Sequence, residues 1–364
     1  MAHIAIDARI INSSTGRYIE RLLTYLEKIE SPHRFSVLVR AKDKDFWKPT
    51  NDNFTVVAAD YHQYTTSEQF GFYLFLLKLD ADLVHFCMPQ QPFLFNRNAV
   101  TTVHDLNLLR ITENEGMSPT TLKMKQTIFA QLLRVVTKRA TFILTPTQYT
   151  KDDLIAFQPI ADDKVVVTYE AADLVSKHEE LVKKFAGKQF ILTVGRAEKY
   201  KNQKGAIEAH QLLLKKYPDL WLVIIGKRDE TSHELERWAQ ERGYRHVHFF
   251  GFASDDQLAW FYSNCAAYVF PSFMEGFGLP PLEAMRHGAP VVSSNATCMP
   301  EVLGDAALYF DPSDPGEMAD QIERILDDTK LRKDLIKKGT AQVKKYSWQR
   351  MAQETLDVYN RALL

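Results

Sequence analysis

The sequence is poor in the features that mark secreted, metal-binding or membrane-spanning proteins. Its 364 residues include only three cysteines, at positions 87, 265 and 298, and none of them has CxxC spacing. This count argues against a disulfide framework or a zinc site, and it fits a reducing compartment. The most apolar run, residues 70–79, is interrupted by Lys78 and is well short of the roughly 20 residues that span a bilayer. The first residues show no signal-peptide pattern. We therefore expect a cytoplasmic protein that is soluble or at most peripheral.

The chain also lacks any excess of charge of one sign. Forty-five Lys and Arg residues stand against 46 Asp and Glu residues, which leaves a formal net charge of −1. No global field therefore gathers nucleic acid, and an anion site must be local. With 45% hydrophobic and 25% charged residues, the composition is that of an ordinary globular protein. At roughly 100–200 residues per domain, the length predicts two domains.

Short runs rich in Val, Ile and Phe alternate with longer amphipathic segments, which is typical of βαβ units and parallel sheets. The pattern predicts strands at 2–8, 35–39, 54–58, 83–86, 100–103, 141–145 and 165–168, and, after a break, at 190–194, 220–225, 247–250, 267–270, 290–293 and 307–310. It predicts helices at 17–29, 67–79, 119–139, 147–157, 203–217, 232–242, 254–263, 280–287, 315–327, 330–344 and 347–364. The charged stretch 171–189 is expected to be an exposed connection.

The expected fold is therefore α/β, with two Rossmann-like domains that face each other across a cleft. The first domain would comprise residues 1–172, the second residues 173–346, and the last helix, 347–364, would return to the first. Ligands of such sheets bind at the carboxyl ends of the strands.

The most informative stretch is residues 271–284, PSFMEGFGLPPLEA, which follows a predicted strand and leads into a helix. Gly276 and Gly278 allow close backbone approach to a ligand, and a helix N-terminus attracts an anion. Glu275 and Glu283 lie eight positions apart, and carboxylates are good acceptors for vicinal hydroxyl groups. A ligand with a phosphate between two sugars would satisfy both the anion-binding loop and the two carboxylates. The alternative is that Glu275 is a solvated loop residue and Glu283 a first-turn helix charge.

A second anion signal follows the predicted strand 190–194. Gly195 and Arg196 are followed by Lys201 just before a helix, so two cations from one loop can converge on a diphosphate. At about 4 Å and an effective dielectric constant of about 20, each charge pair is worth about 4 kcal/mol. Taken alone, such residues are more often solvated surface charges.

Together these features resemble the retaining glycosyltransferases of family 4, which have the GT-B fold. The resemblance covers nearly the whole chain. The family has an EX7E element, in which two glutamates are separated by seven residues, and Glu275 and Glu283 match it. It is carried by DARI at 7–10, VHDL at 103–106, VGR with Lys201 at 194–201, GF and Leu258 at 251–258, PSFMEGFGLPPLEAM at 271–285, HGAPVV at 287–292 and PEVLGDAALYFDP at 300–312.

The resemblance implies a role for each matched residue. Arg196 and Lys201, beside Gly195, would hold the pyrophosphate of a nucleotide-sugar donor, and Glu283 would bind the ribose hydroxyls. The donor sugar and its phosphate would face Glu275, Gly276 and the backbone of residues 277–279, which are Phe277, Gly278 and Leu279. The base would lie near Gly251 and Phe252. His104 would reach the transferred sugar, although a lone histidine after a strand is more often a packing or turn residue.

The family mechanism implies retention of anomeric configuration without a metal or other cofactor. The leaving phosphate oxygen would take the acceptor proton, so no general base is required. DxD spacings at 43–45 and 80–82 leave open a metal site of the GT-A type, but Asp at such turns is common for local reasons. The first loop, residues 11–17, contains only Gly16 where the family has several glycines, so Gly16 is the least secure donor-binding residue.

The first half resembles bacterial mannosyltransferases of polysaccharide biosynthesis, through Ser67-Glu68-Gln69, residues 82–86 and VHDLNLLR at 103–110. That resemblance implies GDP-mannose as donor and a glycan or lipid-linked oligosaccharide as acceptor. Helix 119–139 carries Lys123, Lys125 and other basic residues beside apolar ones, which is compatible with contact to an anionic membrane surface. An ordinary helix whose apolar face lies in the core is the more common case for such a pattern.

Two other functions remain open. A sugar-nucleotide 2-epimerase would bind the same class of donor, and a nucleotide-sugar-binding protein without transfer activity would retain the same donor residues. A Rossmann dehydrogenase is disfavoured because no GxGxxG follows a predicted strand.

Overall fold

A computed structural model of the protein describes residues 1–13, 15–113 and 117–364. Within these ranges the chain forms two compact units. The N-terminal unit contains residues 1–110, 123–170 and 347–364, and the C-terminal unit contains residues 111–122 and 171–346. The division after residue 170 lies two positions before the sequence-based boundary. Segment 111–122 groups with the C-terminal unit, where its Glu113 forms an ion pair with Lys199.

The described part of the N-terminal unit is built on a seven-stranded parallel sheet in the order β3-β2-β1-β4-β5-β6-β7. Its strands are β1 (His3–Asp7), β2 (Arg34–Val39), β3 (Phe54–Ala58), β4 (Leu83–Phe86), β5 (Ala99–Thr102), β6 (Phe142–Thr145) and β7 (Val165–Val167). The central strands are buried on both faces, which is why they read as continuous apolar runs rather than alternating ones. Their bounds differ from the predicted ones by two residues at most.

In the described part of this unit, four α-helices connect the strands: α1 (Gly16–Leu26), α2 (Tyr73–Leu79), α3 (Pro119–Arg139) and α4 (Gln148–Phe157). The first four residues of α3 are grouped with the C-terminal unit. The predicted helix 67–79 begins with a wider π-helical segment, Ser67–Phe72, before α2. In α3, the apolar residues Phe129, Leu132 and Leu133 are buried, whereas Met124 and Ile128 are exposed. Most of the apolar face of α3 is therefore part of the core. In the described ranges, no helix combines the length and the hydropathy needed to cross a membrane.

A buried charge cluster accounts for the DARI sequence at 7–10. The Arg9 guanidinium donates from Nε and Nη2 to the two Asp7 carboxylate oxygens, each at 2.8 Å, and from Nη2 to Glu68 at 2.9 Å. Its carbon lies 3.8 Å from the centre of the Phe72 ring. All of these side chains are almost fully buried, so Arg9 needs both carboxylates to offset its desolvation. The cluster fixes the segment 61–72 to the end of β1.

The described part of the C-terminal unit contains a six-stranded parallel sheet in the order β10-β9-β8-β11-β12-β13. Its strands are β8 (Phe190–Val194), β9 (Trp221–Ile225), β10 (Val247–Gly251), β11 (Ala267–Phe270), β12 (Val291–Ser294) and β13 (Ala307–Phe310). Its helices are α5 (Gln203–Leu213), α6 (Glu230–Glu241), α7 (Asp255–Asn264), α8 (Leu279–Arg286), α9 (Met299–Leu303), α10 (Pro315–Asp327) and α11 (Thr329–Gln342). The sequence did not predict α9, which is only five residues long.

The segment 171–189 is not wholly exposed, contrary to expectation. Phe185 is 1% exposed, and its ring lies 5.8 Å from the ring centres of Phe190 and Phe261. Burial of this one aromatic side chain fixes an otherwise charged stretch to the C-terminal unit. A single aromatic residue among charges carries no strand or helix period, so the pattern could not indicate it.

The last helix, α12 (Trp348–Ala362), belongs to the N-terminal unit, as the sequence predicts. Its buried face, which includes Met351 and Tyr359, packs against α1. The Tyr359 hydroxyl lies 2.6 Å from His85 Nδ1 on β4. The end of the chain is therefore part of the core of this unit.

This packing makes α12 necessary for the stability of the N-terminal unit. Met351 is 0% exposed, so Met351→Ala should lower the free energy of unfolding by about 2–5 kcal/mol. The measurement is urea denaturation combined with hydrogen exchange in α1. Gln353→Ala, at an exposed position of the same helix, is the matched control and should change stability by less than about 0.5 kcal/mol. Equal stability of the two variants would contradict the packing.

Candidate functional site

The predicted donor-binding residues of the C-terminal unit lie on loops at one edge of its sheet. Strands β10, β9, β8 and β11 are neighbours and parallel, so their carboxyl ends meet at this edge. Gly195 and Arg196 follow β8, Gly251 ends β10, and the loop 271–278 follows β11. Residues far apart in sequence are therefore brought close together.

Lys201 and Glu275 form the central contact of this edge. Lys201 Nζ lies 2.7 Å from Glu275 Oε1, and the two side chains are 22% and 11% exposed. Lys201 ends a short 3-10 turn, Lys199–Lys201, while Glu275 lies on the loop after β11. An ammonium group has three N–H donors, so Lys201 can keep Glu275 and still bind another anion.

Arg196 is more exposed and has acidic neighbours of its own. Its guanidinium nitrogens lie 3.5 Å from Glu198 Oε1 and 3.6 Å from Asp229 Oδ2, and its side chain is 49% exposed. Asp229 also caps α6 by accepting a hydrogen bond from the Ser232 N–H group. Arg196 thus lies at the predicted edge of the sheet. It pairs with Glu198 and Asp229, whereas Glu275 pairs with Lys201.

Glu283 lies inside α8 and is only 5% exposed. The Tyr262 hydroxyl donates to its Oε2 at 3.4 Å. Tyr268 also lies near, and burial together with the charge of Glu283 raises the pKa of the Tyr268 phenol well above its usual value. Glu275 is 9% exposed, so neither acid is the solvated surface group that the alternative interpretation required.

The loop after β11 is held in place by side chains from the neighbouring loops. Asn202 Nδ2 donates to the carbonyl oxygens of Pro271 and Pro312, at 3.1 and 2.7 Å. The Ser294 hydroxyl donates to the Ser272 carbonyl oxygen at 2.7 Å, and the Thr297 hydroxyl accepts from the Glu275 N–H group at 3.1 Å. These contacts fix the position of the Glu275 carboxylate.

Sequence reasoning missed Asn202, although a signal was present. Its backbone is left-handed, with φ 53°, and its Oδ1 accepts a hydrogen bond from the Gly205 N–H group as the N-cap of α5. Asn is a preferred N-cap residue, so its place directly before a predicted helix indicated a local role. Its bonds to Pro271 and Pro312 are long-range and were not predictable.

The N-terminus of α8 is formed by a left-handed glycine followed by prolines. Gly278 has φ 85°, a left-handed conformation that favours glycine, and a Cβ there would lie 2.4 Å from Met299 Cε, so the methionine side chain would also have to move. Pro280 and Pro281 have no N–H group, so the backbone donors of the first turn reduce to those of Gly278, Leu279 and Leu282. The Phe277 side chain is 5% exposed and packs edge-on against Tyr346, so it is not part of the exposed surface of this loop.

Gly251 and Phe252 end β10 at the same edge. Gly251 has φ 87°, and Phe252 is 90% exposed. Next to them, Arg228 forms an ion pair with Glu236 and lies over the Phe249 ring, at 5.4 Å from its centre. The exposed phenyl ring of Phe252 at this edge of the sheet is available for stacking.

Gly16 has a steric role that the sequence did not reveal. A Cβ at this position would lie 1.9 Å from the Ile11 carbonyl oxygen. The group that comes close to Gly16 is therefore the backbone of the same loop. Ser14, in the same loop, lies outside the described residues. Gly16 is thus required by the packing of the first loop, whatever else it contacts.

His104 follows β5 in the N-terminal unit, and its side chain is 16% exposed. Nε2 lies 3.0 Å from the Cys87 carbonyl oxygen, and Nδ1 lies 3.5 Å from Glu170 Oε1. The ring packs edge-on against Tyr18, with 4.8 Å between the ring centres. Glu170 is a further residue that sequence reasoning missed.

The DxD sequences of the N-terminal unit are engaged in local contacts. Asp80 pairs with Arg97 at 2.6 Å, and Asp82 accepts a hydrogen bond from the His3 N–H group at 2.7 Å. Asp43 is buried and accepts from Asn12 at 3.0 Å. These contacts agree with the interpretation of these aspartates as turn residues.

The comparisons with known proteins cover both units. Residues 15–175 match the family model described as Glycosyltransferase Family 4, and residues 176–342 match Glycosyl transferases group 1. O-antigen chain mannosyltransferase B of Escherichia coli is 31% identical over 273 residues, which are 72% of this chain and 70% of that protein. The serotype-specific mannosyltransferase WbdA of Escherichia coli is 31% identical over 239 residues. That match covers 62% of this chain but only 29% of the longer WbdA.

Among solved structures, HepE of Anabaena in complex with UDP-glucose superposes with a TM-score of 0.73 at 16% identity, covering 99% of this chain and 100% of the other. At this identity the likeness shows the fold alone. It confirms the expected α/β architecture of two Rossmann-like domains. The chain belongs to glycosyltransferase family 4 and is a glycosyltransferase with the GT-B fold.

Proposed function

We propose that this enzyme transfers mannose from GDP-mannose to a glycan or lipid-linked oligosaccharide acceptor in polysaccharide biosynthesis, with retention of anomeric configuration. The observation that carries the proposal is the contact between Lys201 and Glu275 at the edge of the C-terminal sheet, with the buried Glu283 on the adjoining helix. This edge offers a cation, the backbone N–H groups at the start of α8 and two carboxylates, which are the groups that a nucleotide sugar requires.

The donor phosphates would be bound by positive charge and backbone N–H groups. Lys201 and Arg196, next to Gly195, would contact the pyrophosphate, and the N–H groups of Gly278 and Leu279 would donate to its oxygens. Gly276 and the backbone of Phe277 would line the same loop. The Lys201 ammonium keeps two N–H donors beyond the one directed at Glu275, so binding of the pyrophosphate need not break this ion pair.

The carboxylates would bind the sugars on either side of the pyrophosphate. Glu283 would accept hydrogen bonds from the ribose hydroxyls, and Glu275 would accept from hydroxyls of the transferred sugar. The base would stack near Phe252, beside Gly251. Because Glu283 is buried and fixed by Tyr262, its carboxylate is held in place before the donor binds.

In the proposed reaction, the bond from the sugar anomeric carbon to the leaving phosphate oxygen breaks. The acceptor hydroxyl oxygen forms the new bond on the same face, and its proton passes to the leaving phosphate oxygen. The products are the glycoside and GDP. Lys201 and Arg196 stabilise the charge that develops on the diphosphate, so no metal or other cofactor is required in this proposal. His104 would contribute from the N-terminal unit, near the transferred sugar.

The choice of GDP-mannose is supported by what the relatives are called. Both Escherichia coli relatives are named mannosyltransferases, and one is named for the O-antigen chain. HepE was solved with UDP-glucose, which concerns HepE alone. Direct binding therefore decides between GDP-mannose and other nucleotide sugars.

Replacement of Lys201 tests the site. Lys201→Ala should lower kcat by about 10²- to 10³-fold, because it removes a cation from the leaving group and leaves the Glu275 carboxylate without its partner. Transfer of label from GDP-mannose, measured with EDTA present, is the readout. Lys204→Ala, at an exposed position on α5, is the matched control and should retain wild-type activity. Unchanged turnover in Lys201→Ala would remove this site from the mechanism.

A thermal-shift screen tests the donor. GDP-mannose and GDP should raise the melting temperature at concentrations where UDP-glucose, ADP-glucose and TDP-glucose do not, because a ligand that binds only the folded state stabilises it. Greater stabilisation by a UDP-hexose would reject GDP-mannose. Conversion of free GDP-mannose to an isomer without acceptor would instead support a 2-epimerase. Binding without transfer to any acceptor in a panel would support a binding protein.

We further propose that α3 contacts an anionic lipid surface that carries the acceptor. Met124 and Ile128 are 59% and 53% exposed and one helical turn apart, and Lys123 and Lys125 flank Met124. Exposed apolar side chains between lysines suit the boundary between headgroups and acyl chains.

Flotation with vesicles tests this contact. The wild-type protein should float with vesicles that contain phosphatidylglycerol and less with neutral ones, and the double variant Met124→Asp, Ile128→Asp should lose most of this binding. Leu212→Asp, at a 45% exposed apolar position of α5, is the control and should bind like the wild type. Binding that does not depend on anionic lipid would exclude the proposal.

A further inference from the structure

The partly buried His104 and the fully buried His85 and His210 differ in the partners of their ring nitrogens. A carbonyl or carboxylate oxygen can only accept a hydrogen bond, so a ring nitrogen that faces one must carry a proton. A hydroxyl can donate or accept, and an amide NH2 only donates. The partners therefore indicate the charge of each ring.

Both ring nitrogens of His104 face acceptors. Nε2 lies 3.0 Å from the Cys87 carbonyl oxygen, so Nε2 carries a proton. Nδ1 lies 3.5 Å from Glu170 Oε1. Since the Glu170 carboxylate cannot donate, a favourable contact requires a proton on Nδ1 as well. With both nitrogens protonated, the ring is an imidazolium ion.

The other two histidines have partners that leave them neutral. His85 lies 2.6 Å from the Tyr359 hydroxyl and 2.8 Å from the Thr102 hydroxyl, and burial lowers its pKa to about 3. His210 Nε2 faces the Leu220 carbonyl oxygen, whereas its Nδ1 faces the Gln211 amide NH2 group, and burial lowers its pKa to about 4. Burial is the largest cause of both lowered pKa values, and a neighbouring histidine lowers each further, His104 for His85 and His246 for His210.

The groups that face His104 from the surrounding elements act together. Burial opposes its charge, but the nearby Glu170 carboxylate, the Cys87 carbonyl and Asp105 raise its pKa above the usual 6.5. The Cys87 thiol and the Tyr18 hydroxyl are buried, and burial raises the pKa of each well above its usual value, so both are neutral. His85 is neutral as well. Glu170, whose side chain is 8% exposed, is thus the charged group in direct contact with the ring.

We propose that Glu170 is a positioning residue that keeps His104 in its imidazolium form, so that His104 serves transfer as a fixed positive charge and not as a general base. An imidazolium ion has no lone pair with which to take the acceptor proton. Its two N–H groups are engaged by Cys87 and Glu170, so its effect on a ligand comes from its charge. The role in transfer rests on the proposed function, whereas the charge of the ring does not.

Titration of the histidines by NMR tests the charge without any substrate. In the full-length protein labelled with 15N at histidine, His104 should titrate above the usual 6.5, and its ion pair should be complete at lower pH and lost as the pH rises through that raised pKa. In Glu170→Gln the midpoint should fall by about 1–3 pH units, because the charge is lost while the shape is kept. His85 should remain neutral throughout and is the internal reference.

A His104 ring that is neutral at pH 6 in the wild-type protein would overturn the proposal, as would the same midpoint in Glu170→Gln. The wild-type titration decides this point even if the variant folds poorly. Glu20→Gln, on α1 of the same unit, is the matched control and should leave the His104 midpoint unchanged.

Kinetics then test the role of the charge. In Glu170→Gln, kcat at a pH between the His104 midpoints of the variant and the wild type should fall by about 10²-fold with little change in the donor KM, and it should recover as the pH is lowered and His104 becomes protonated. A loss of activity that is independent of pH would mean that Glu170 is only structural and would overturn the catalytic part. Neither result affects the proposed reaction, which the wild-type activity tests separately.

Discussion

The ion pair between Lys201 and Glu275 is the contact on which the described donor edge depends. It joins the loop after β8 to the loop after β11, two strands that are neighbours in the sheet. Each residue alone would carry a poorly solvated charge, and each offsets the desolvation of the other. Asn202 and Thr297 fix the backbone on the two sides of the pair. The arrangement thus holds a carboxylate and an ammonium group in fixed positions at the open ends of the strands.

The fold was predictable from the sequence because parallel strands buried on both faces form uninterrupted apolar runs. Strands β3, β4 and β8 have the bounds that the pattern predicts. The helix predicted at 203–217 ends at Leu213, however, because Pro218 disfavours helical backbone before it and the chain turns there. The side chains of Lys216 and Tyr217 then bond to Asp327 on α10, a contact between distant residues that no local pattern contains.

The candidate site was predictable where local spacing determines chemistry. The glycines, the prolines and the eight-residue separation of Glu275 from Glu283 all lie within one strand-loop-helix segment. The bond from Asn202 to Pro271 and the contact of Glu170 with His104 were not predictable, since they join residues distant in the sequence. One of the two partners of Arg196, Asp229, was missed for a related reason, because it lies on the loop after the neighbouring strand β9.

The proposed reaction needs a destination for the acceptor proton. Glu275 Oε1 already accepts a hydrogen bond from the Lys201 ammonium group at 2.7 Å. Glu283 is buried inside α8 against Tyr262, in a position suited to bind hydroxyls. If His104 is an imidazolium ion, it has no lone pair to receive a proton. The strongest remaining acceptor is the departing phosphate oxygen itself, whose basicity rises as its bond to the sugar breaks. A site without a free base therefore favours departure of the diphosphate and attack of the acceptor on the same face, which is the stereochemistry of the proposed retaining reaction.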